Sequence, residues 1–303
     1  MSSPPTKPET TPLSSPAQTW QLRTRSLSFG SIPLVMGILN VTPDSFSDGG
    51  RHHAVDRAVD AALRMEDEGA AILDIGGEST RPYSDPVACD EEIQRIAPVL
   101  ERLQGRLEIP ISIDTSKAAV ACVALELGAQ IVNDVTGLEG DPAMLSLAAD
   151  TQAGVCVMHM QGSPQTMQDD PRYEHVTSDI RRYLLQRAQA CLDGGIDRQR
   201  VCLDPGIGFG KTHQHNLTLL RDAAQFTRLG WPILVGHSRK GFVAHVLGDK
   251  QRERDAGTLG VSLALARAGV QVLRVHNVAL TVDALRLFDA SGGLAGVVEG
   301  RPF

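Results

Sequence analysis

The chain has 303 residues, 42% of them hydrophobic and 21% charged, which is ordinary for a globular protein. This length fits one large domain or two small ones. The formal net charge of −7 argues against a nucleic-acid scaffold, so an anionic ligand must meet a local cationic site. Five cysteines without Cys-x-x-Cys or zinc spacing indicate reduced thiols and predict a cytoplasmic protein.

The first residues differ in composition from the rest of the chain. Residues 1–19 are rich in Ser, Thr and Pro and have few large apolar side chains, which predicts a disordered tail before a catalytic domain over residues 20–303. The tail lacks the apolar core of a secretory signal. No stretch approaches the roughly 20 apolar residues needed to span a bilayer, so we expect no membrane association.

From residue 32 onward, short apolar runs alternate with segments of helical periodicity. The apolar runs predict strands at 32–39, 70–75, 109–113, 129–132, 154–158, 201–203, 232–235 and 270–273. The intervening segments predict helices near 54–65, 90–107, 118–127, 142–149, 176–191, 216–229, 256–268 and 280–290. Continuously apolar strands separated by helices indicate parallel strands that are buried on both faces. Eight such units predict a single-domain (β/α)8 TIM barrel.

The alternative fold is a doubly wound open sheet. That fold favours Gly-x-Gly-x-x-Gly after the first strand, with an acidic residue about 20 positions later. The glycine-rich run from Gly206 to Gly210 instead follows the sixth strand and has different spacing. The barrel therefore remains the prediction.

Polar residues stand at nearly every predicted strand end, where TIM barrels place their functional sites. They include Asn40, Glu78, Arg81, Asp114, Asn133, Asp134, His159, Asp204, Ser238, Lys240, Arg274 and His276. One such residue is usually a cap or a turn. A whole ring of them predicts a ligand site.

The ring contains two kinds of chemistry. The acceptors of Asp114, Asn133 and Asp204 suit the N–H groups of an aminopyrimidine edge. The cations, which suit phosphate or carboxylate groups, are Arg81, Lys240, Arg274 and His276. The alternative, in which the carboxylates and cations pair with one another, stays open and does not exclude binding. Asn40 and the carboxylates could also hold a hard cation such as Mg2+.

The motifs at these strand ends strongly resemble those of the dihydropteroate synthase family of pterin-binding enzymes. They are Asn40-Val-Thr-Pro-Asp-Ser-Phe-Ser-Asp-Gly-Gly, Gly76-Gly-Glu-Ser-Thr-Arg-Pro, Ile113-Asp-Thr-Ser-Lys, Asn133-Asp-Val-Thr-Gly, Met158-His-Met-Gln-Gly, Asp204-Pro-Gly-Ile-Gly-Phe-Gly-Lys, Ser238-Arg-Lys and Arg274-Val-His. The match runs from about residue 34 to the last helix.

The resemblance implies a transferase of folate biosynthesis that converts 6-hydroxymethyl-7,8-dihydropterin pyrophosphate and p-aminobenzoate into 7,8-dihydropteroate and pyrophosphate. It implies a pterin slot lined by Asp114, Asn133, Met158, Asp204, Gly236 and Lys240. Asn40 would bind Mg2+, and Arg274 with His276 would bind pyrophosphate. The p-aminobenzoate pocket would consist of Thr80, Arg81, Pro82, Phe209, Ser238 and Lys240. Sulfonamides, which mimic p-aminobenzoate, are the expected inhibitors.

The resemblance also suggests a dissociative mechanism and a homodimer. In that mechanism pyrophosphate leaves first, helped by Mg2+, Arg274 and His276, and Asp114 stabilises the pterin-methyl cation that the arylamine then attacks. The expected catalytic residues are Asp114, Lys240, Arg274 and His276, with Mg2+ as the cofactor. The Ala-rich segment 256–268 is the expected dimer face.

Four positions depart from the family pattern: Tyr83 replaces a usual Gly, Asn277 a usual Asp, Ile207 a common aromatic, and Thr258 begins a less Ala-rich run. Two other functions stay open. A pterin-binding methyltransferase would lack the Ser-Arg-Lys and Thr-Arg-Pro motifs, and both are present. A non-catalytic pterin-binding barrel would be expected to lose Asn40, Arg274 or His276, and all three are retained.

Overall fold

The computed structural model describes residues 15–42, 50–80 and 83–295. The strands are β1 Thr19–Gln21, β2 Ser26–Ser28, β3 Leu34–Asn40, β4 Ile72–Gly76, β5 Ile111–Asp114, β6 Ile131–Asp134, β7 Gly154–Met158, β8 Val201–Asp204, β9 Leu234–Val235 and β10 Val272–Val275. The helices are α1 Gly50–Asp67, α2 Cys89–Leu103, α3 Ala118–Glu126, α4 Met144–Thr151, α5 Val176–Asp193, α6 His213–Arg221, α7 Ala223–Thr227, α8 Gly241–Leu247, α9 Asp255–Arg267 and α10 Val278–Ala290.

Strands β3 to β10 form one parallel sheet in the order β8-β7-β6-β5-β4-β3-β10-β9. A parallel bridge between Leu203 in β8 and Ile233 joins the two ends of the sheet. The strands are buried on both faces because helices surround the sheet and side chains fill its interior. The predicted TIM barrel is therefore confirmed, and the open doubly wound sheet is excluded.

The N-terminal hairpin β1–β2 is an element that the sequence analysis did not predict. Its strands pair antiparallel, with Trp20 opposite Leu27. Trp20 and Leu22 are fully buried and pack against inward-facing side chains at the bottom of the barrel. The predicted boundary between residues 19 and 20 thus falls at the start of a strand, whereas residues 1–14 lie outside the described part.

Two helical segments also differ from prediction. The predicted helix 216–229 divides at Asp222 into α6 and α7, where the Asp222 carboxylate accepts a hydrogen bond from Thr177. Helix α8 was not predicted, because seven residues are too few to establish a helical period. Within the described residues, no helix combines the length and apolarity required to cross a membrane.

The hairpin yields a stability prediction. Trp20→Ala should lower the free energy of unfolding by about 3–5 kcal/mol, because it removes a fully buried indole and leaves a cavity at the bottom of the barrel. It also removes the hydrogen bond from the indole N–H to the Arg200 carbonyl, which is 2.8 Å long. Urea unfolding measures the loss, with the exposed Thr19→Ala change in the same strand as control. A loss below about 1 kcal/mol would contradict the stabilising role of Trp20 at the bottom of the barrel.

Candidate active site

The centre of the barrel mouth is an arginine shared by two buried carboxylates. The Nε of Arg274 lies 2.5 Å from Oδ2 of Asp74, and its Nη2 lies 2.6 Å from Oδ2 of Asp114. Asn133 donates from Nδ2 to the same Asp74 oxygen at 3.2 Å. These groups come from β4, β5, β6 and β10, so the interaction joins strands across the barrel.

The burial of this cluster changes its ionisation. Burial raises the pKa of the Asp114 carboxyl to about 7, against the opposing effect of the Arg274 guanidinium. Burial opposes the charge of Arg274 too, yet the carboxylates of Asp74 and Asp114 raise its pKa above the ordinary value. Burial therefore disfavours the charged form of Asp114, and the ion pair with Arg274 favours it.

Both carboxylates keep one oxygen available. Oδ1 of Asp74 and Oδ1 of Asp114 are buried and have no hydrogen-bond partner among the described residues. A buried oxygen without a donor is costly, and a ligand N–H would remove that cost. The cluster therefore combines a satisfied ion pair with unused acceptors.

Asp204 forms a second acceptor wall at the end of β8. Its Oδ1 accepts the backbone N–H of Gly206 at 2.7 Å. Burial raises the pKa of Asp204 to about 6, partly offset by this hydrogen bond and by nearby cations. Gly236 lies opposite, and a Cβ there would sit 4.0 Å from Oδ2 of Asp204 and 3.8 Å from Cδ of Arg274. The glycine keeps the space between acid and arginine open.

The glycine-rich loop after β8 lies directly against the backbone that follows β7. A Cβ at Gly206 would be 2.0 Å from the His159 carbonyl oxygen, and one at Gly210 would be 2.4 Å from the Gln161 carbonyl oxygen. Both glycines also have positive φ, which other residues rarely adopt. These two positions therefore require glycine so that Phe209 can face the mouth.

Lys211, which the sequence analysis noted only within its motif, secures this loop from below. Its buried Nζ lies 2.8 Å from the Phe209 carbonyl, 3.1 Å from the His159 carbonyl and 3.0 Å from His159 Nδ1. Burial lowers the pKa of Lys211 well below its ordinary value, and burial with the Lys211 charge lowers that of His159 to about 3. His159 is thus a neutral acceptor that holds the lysine.

Phe209 and Lys240 form the outer wall of the mouth. The Lys240 ammonium lies 4.0 Å from the centre of the Phe209 ring, within the range of a cation–π contact. Met158 packs with Phe209 in a small buried cluster. A flat ring entering here meets apolar faces and a cationic rim.

A third group joins the loops after β9 and β10. Ser238 Oγ lies 3.0 Å from His276 Nδ1 and also accepts the His276 backbone N–H at 3.3 Å. The structure therefore brings Ser238 and His276 together, as the predicted neighbouring sites require. Asn40 is the last residue of β3. It pairs with Gly76 of β4, and Gly76 pairs in turn with Asp114 of β5.

The loop after β4 is anchored by buried charges. Lys117 Nζ lies 2.6 Å from both Glu78 Oε2 and Glu92 Oε2, and Glu78 Oε1 accepts the Val87 N–H at 2.8 Å. Thr80 extends from this anchor and is half-buried. Arg81 and Pro82, also predicted for the p-aminobenzoate pocket, lie outside the described residues.

Tyr83 retains the backbone conformation that a glycine would adopt. Its φ is +63°, its side chain is largely exposed, and its N–H donates to the Pro164 carbonyl at 3.0 Å. The Tyr83 hydroxyl lies 3.3 Å from Asp169 Oδ1. The substitution thus links the loop after β4 to the loop after β7, at a strain cost of about 1 kcal/mol or more.

The sequence analysis gave no role to Asp74, although it is central to the site. A charged residue inside an apolar strand is rare unless it is paired, so its position between Leu73 and Ile75 was a usable signal. Its partner, Arg274, lies 200 residues further along the chain. That separation hid the pair from local pattern analysis.

The raised pKa of Asp204 yields a pH prediction. Between the unfolded value of 3.8 and the folded value of about 6, the folded chain holds a proton that the unfolded chain releases, so this residue lowers folding stability as pH rises. Asp204→Asn keeps the acceptor for Gly206 and removes the titration. In urea unfolding from pH 4.5 to 7.5, the free energy of unfolding of the variant minus that of wild type should increase with pH up to about pH 6.5 and then level off. A difference independent of pH would contradict the burial cost.

Comparison with known proteins identifies the family of this chain. Residues 36–276 match the family described as pterin binding enzyme. The chain is 45% identical over 261 residues to dihydropteroate synthase of Escherichia coli K12, which covers 86% of this chain and 92% of the relative. A Xanthomonas albilineans dihydropteroate synthase with 4-aminobenzoic acid has TM-score 0.84 and 42% identity, with coverage of 91% and 98%. A Yersinia pestis enzyme in a sulfonamide complex has TM-score 0.84 and 42% identity, with coverage of 90% and 98%. The chain therefore belongs to the pterin-binding enzyme family, among the dihydropteroate synthases.

Proposed function

We propose that this chain condenses 6-hydroxymethyl-7,8-dihydropterin pyrophosphate with p-aminobenzoate, forming 7,8-dihydropteroate and pyrophosphate. The single observation that carries the proposal is the Asp74–Arg274–Asp114 cluster, which presents unused acceptors and a cation in one barrel mouth. An aminopyrimidine with a pyrophosphate arm requires both chemistries within one site. The relatives named dihydropteroate synthase support the same reaction.

The acceptor side of the mouth suits the pterin ring. Asp114 Oδ1 is available to one ring N–H, and Asp204 and Asn133 present further polar groups at neighbouring strand ends. Met158 would cover one face of the ring, and Gly236 leaves room along its edge. Hydrogen bonds to the buried carboxylates would be strong, because few water molecules compete there.

The cationic side suits the pyrophosphate. Arg274 and His276 project from β10 and the loop after it, and Lys240 lies on the adjacent loop. We propose that Arg274 keeps its Nε on Asp74 and turns its Nη groups from Asp114 to the pyrophosphate. This turn would bind the leaving group and leave Asp114 facing the pterin, whose developing cation would replace Arg274 as the counter-charge of the carboxylate.

The residues near Asn40 fit a magnesium ion. Asn40 and Asp114 flank Gly76 in one row of strands, and a Cβ at Gly76 would lie 3.4 Å from the Asp114 Cβ, so the glycine leaves room beside Asp114. The described residues contain no cluster of three or more His, Cys, Asp or Glu that could hold a metal. This suits Mg2+, which commonly takes one or two protein oxygens with water and phosphate. Magnesium, when bound through Asn40, supplies positive charge against the pyrophosphate.

The chemistry follows from the placement of charge. The bond between the pterin methylene carbon and the pyrophosphate oxygen breaks, and pyrophosphate leaves with the electron pair toward Arg274 and His276. The freed Asp114 carboxylate stabilises the resulting pterin-methyl cation. The arylamine nitrogen then attacks this carbon and loses a proton to solvent, which completes dihydropteroate. The weakly basic amine needs positioning more than deprotonation.

The arylamine would occupy the outer wall of the mouth. Phe209, whose ring contacts the Lys240 ammonium, would offer an apolar surface, and Lys240 and Ser238 would meet the carboxylate of p-aminobenzoate. Thr80, on the loop after β4, would line this pocket, and Arg81 and Pro82 follow it directly in the sequence. A sulfonamide presents the same arylamine shape, so we propose that sulfonamides compete for this pocket, as the Yersinia pestis complex suggests for that enzyme.

We also propose a cytoplasmic homodimer. All five cysteines are free, as a reducing compartment permits. The exposed apolar side chains of Val246, Leu247, Leu280 and Leu287 lie on α8 and α10, and α10 packs against the Ala-rich α9. Such residues are suited to burial against a second copy. Sedimentation analysis showing only monomer at micromolar concentration would contradict this part of the proposal.

A product assay tests the reaction directly. The purified chain is supplied with dihydropterin pyrophosphate and Mg2+, with and without p-aminobenzoate, and both products are measured. Equal amounts of pyrophosphate and dihydropteroate that depend on p-aminobenzoate support the synthase. Pterin binding without dihydropteroate would instead indicate a non-catalytic barrel.

The role of Asp114 gives a mutational prediction. Asp114→Asn keeps an acceptor for the pterin but removes the charge that stabilises the cation, so kcat should fall about 100- to 1,000-fold. The Kd for dihydropterin pyrophosphate, measured by calorimetry without p-aminobenzoate, should rise less than about tenfold. Comparable losses in kcat and affinity would contradict the cation-stabilising role.

A further inference from the structure

Arg239, between Ser238 and Lys240, is held in an unusual conformation by groups outside its own loop. Its φ is +57°, a region that non-glycine residues rarely occupy. Its side chain forms a two-point ion pair with Asp255, with Nε to Oδ1 at 2.7 Å and Nη2 to Oδ2 at 2.9 Å. Parallel N–H···O bonds of this kind fix orientation as well as distance.

The start of α9 also binds the backbone of Arg239. Its N–H donates to Thr258 Oγ1 at 3.1 Å, and its carbonyl accepts from Arg254 Nη1 at 2.9 Å. Three residues at the start of α9, namely Arg254, Asp255 and Thr258, thus fix both the backbone and the side chain of Arg239. The conformation of the Ser238–Lys240 segment therefore depends on α9.

Asp255 reaches the second substrate loop as well. Asn277 Nδ2 donates to Asp255 Oδ2 at 2.9 Å, the same oxygen that accepts from Arg239 Nη2. Asn277 directly follows His276, and its own Oδ1 caps α10 by accepting the Leu280 N–H at 3.2 Å. One carboxylate therefore joins the loop after β9 to the loop after β10.

The loops after β9 and β10 are therefore joined in two ways, through Asp255 and by a direct contact. Ser238 Oγ and His276 Nδ1 meet at 3.0 Å on the side that faces the mouth, whereas Asp255 lies behind both loops. The Asp255 side chain is only 13% exposed, whereas the Arg239 side chain that it binds is 44% exposed. The Arg239 hydrogen bonds and charge keep the pKa of Asp255 below its usual range, so the carboxylate stays charged.

We infer that Asp255 is a positioning residue that sets the spacing of Ser238 and Lys240 relative to Arg274 and His276 without touching substrate. The inference rests on the proposed function, in which the first pair binds p-aminobenzoate and the second binds pyrophosphate. Because Asn277 contacts the carboxylate of Asp255, the acid and the amide can exchange places while the link between the loops persists. Arg239 Nη2 and Asn277 Nδ2 contact the same Asp255 oxygen, so a carboxylate at position 277 would also lie near the Arg239 guanidinium, where one carboxylate in total should suffice.

A double-mutant cycle tests this directly. Asp255→Asn leaves Arg239 without its anion, and Asn277→Asp places a second carboxylate about 2.9 Å from the first. Each single variant should raise the KM for p-aminobenzoate about tenfold, with the Kd for dihydropterin pyrophosphate changed less than threefold. The double variant Asp255→Asn with Asn277→Asp should recover a KM within about threefold of wild type. Additive losses in the double variant would overturn the inference.

A control variant separates positioning from a general loss of charge. Asp56→Asn removes a carboxylate from the Arg102 ion pair between α1 and α2 and should leave the KM for p-aminobenzoate unchanged. Thermal unfolding of all variants identifies any that fail to fold. An unchanged KM in a folded Asp255→Asn protein would overturn the positioning role while leaving the synthase function intact.

Hydrogen exchange gives a readout that does not require turnover. Amides of residues 238–241 should exchange faster in both single variants and return to the wild-type rate in the double variant, with α2 as internal reference. Unchanged exchange would contradict the inference. Wild-type protein that formed no dihydropteroate would contradict the proposed function instead, and the exchange data would still report whether Asp255 fixes the loop.

Discussion

The site depends on one guanidinium shared by two buried carboxylates. Burying either acid alone would cost several kcal/mol, and Arg274 offsets that cost for Asp74 and Asp114 together. The arrangement leaves on each acid a buried oxygen without a hydrogen-bond donor among the described residues, which is energetically costly. The same cluster therefore stabilises the empty barrel and creates the demand for a donor-rich heterocycle.

The remaining parts of the barrel hold this cluster in register. The hairpin with Trp20 packs against apolar inward-facing side chains at the bottom of the barrel. Lys211 and the glycines of its loop fix Phe209 from one side, and Asp255 fixes Ser238 and Lys240 from the other. Polar groups that never touch substrate thus determine where the binding groups stand, because hydrogen bonds and an ion pair hold the loops after β8 and β9 from behind.

The sequence predicted the barrel and the ring of strand ends because both are periodic, local features. Asp114, Asp204 and Arg274 follow apolar runs directly, so their positions could be predicted from sequence. Asp74 could not be paired with Arg274 by pattern alone, and Lys211 resembled an exposed loop residue although it is buried. The hairpin was missed because its strands have only three residues each. The sequence did not predict pairs of residues that are distant in the chain, because the environment of each such residue depends on its partner.

The central claim is that Arg274 exchanges Asp114 for the pyrophosphate when the pterin substrate binds. A crystal structure with a non-hydrolysable dihydropterin pyrophosphate analogue and Mg2+, without p-aminobenzoate, tests it most directly. The account predicts that Nε of Arg274 stays on Asp74, that both Nη atoms contact the pyrophosphate, and that Asp114 contacts only the pterin. An Arg274 whose Nη2 still lies on Asp114, with the pyrophosphate bound elsewhere, would contradict the account.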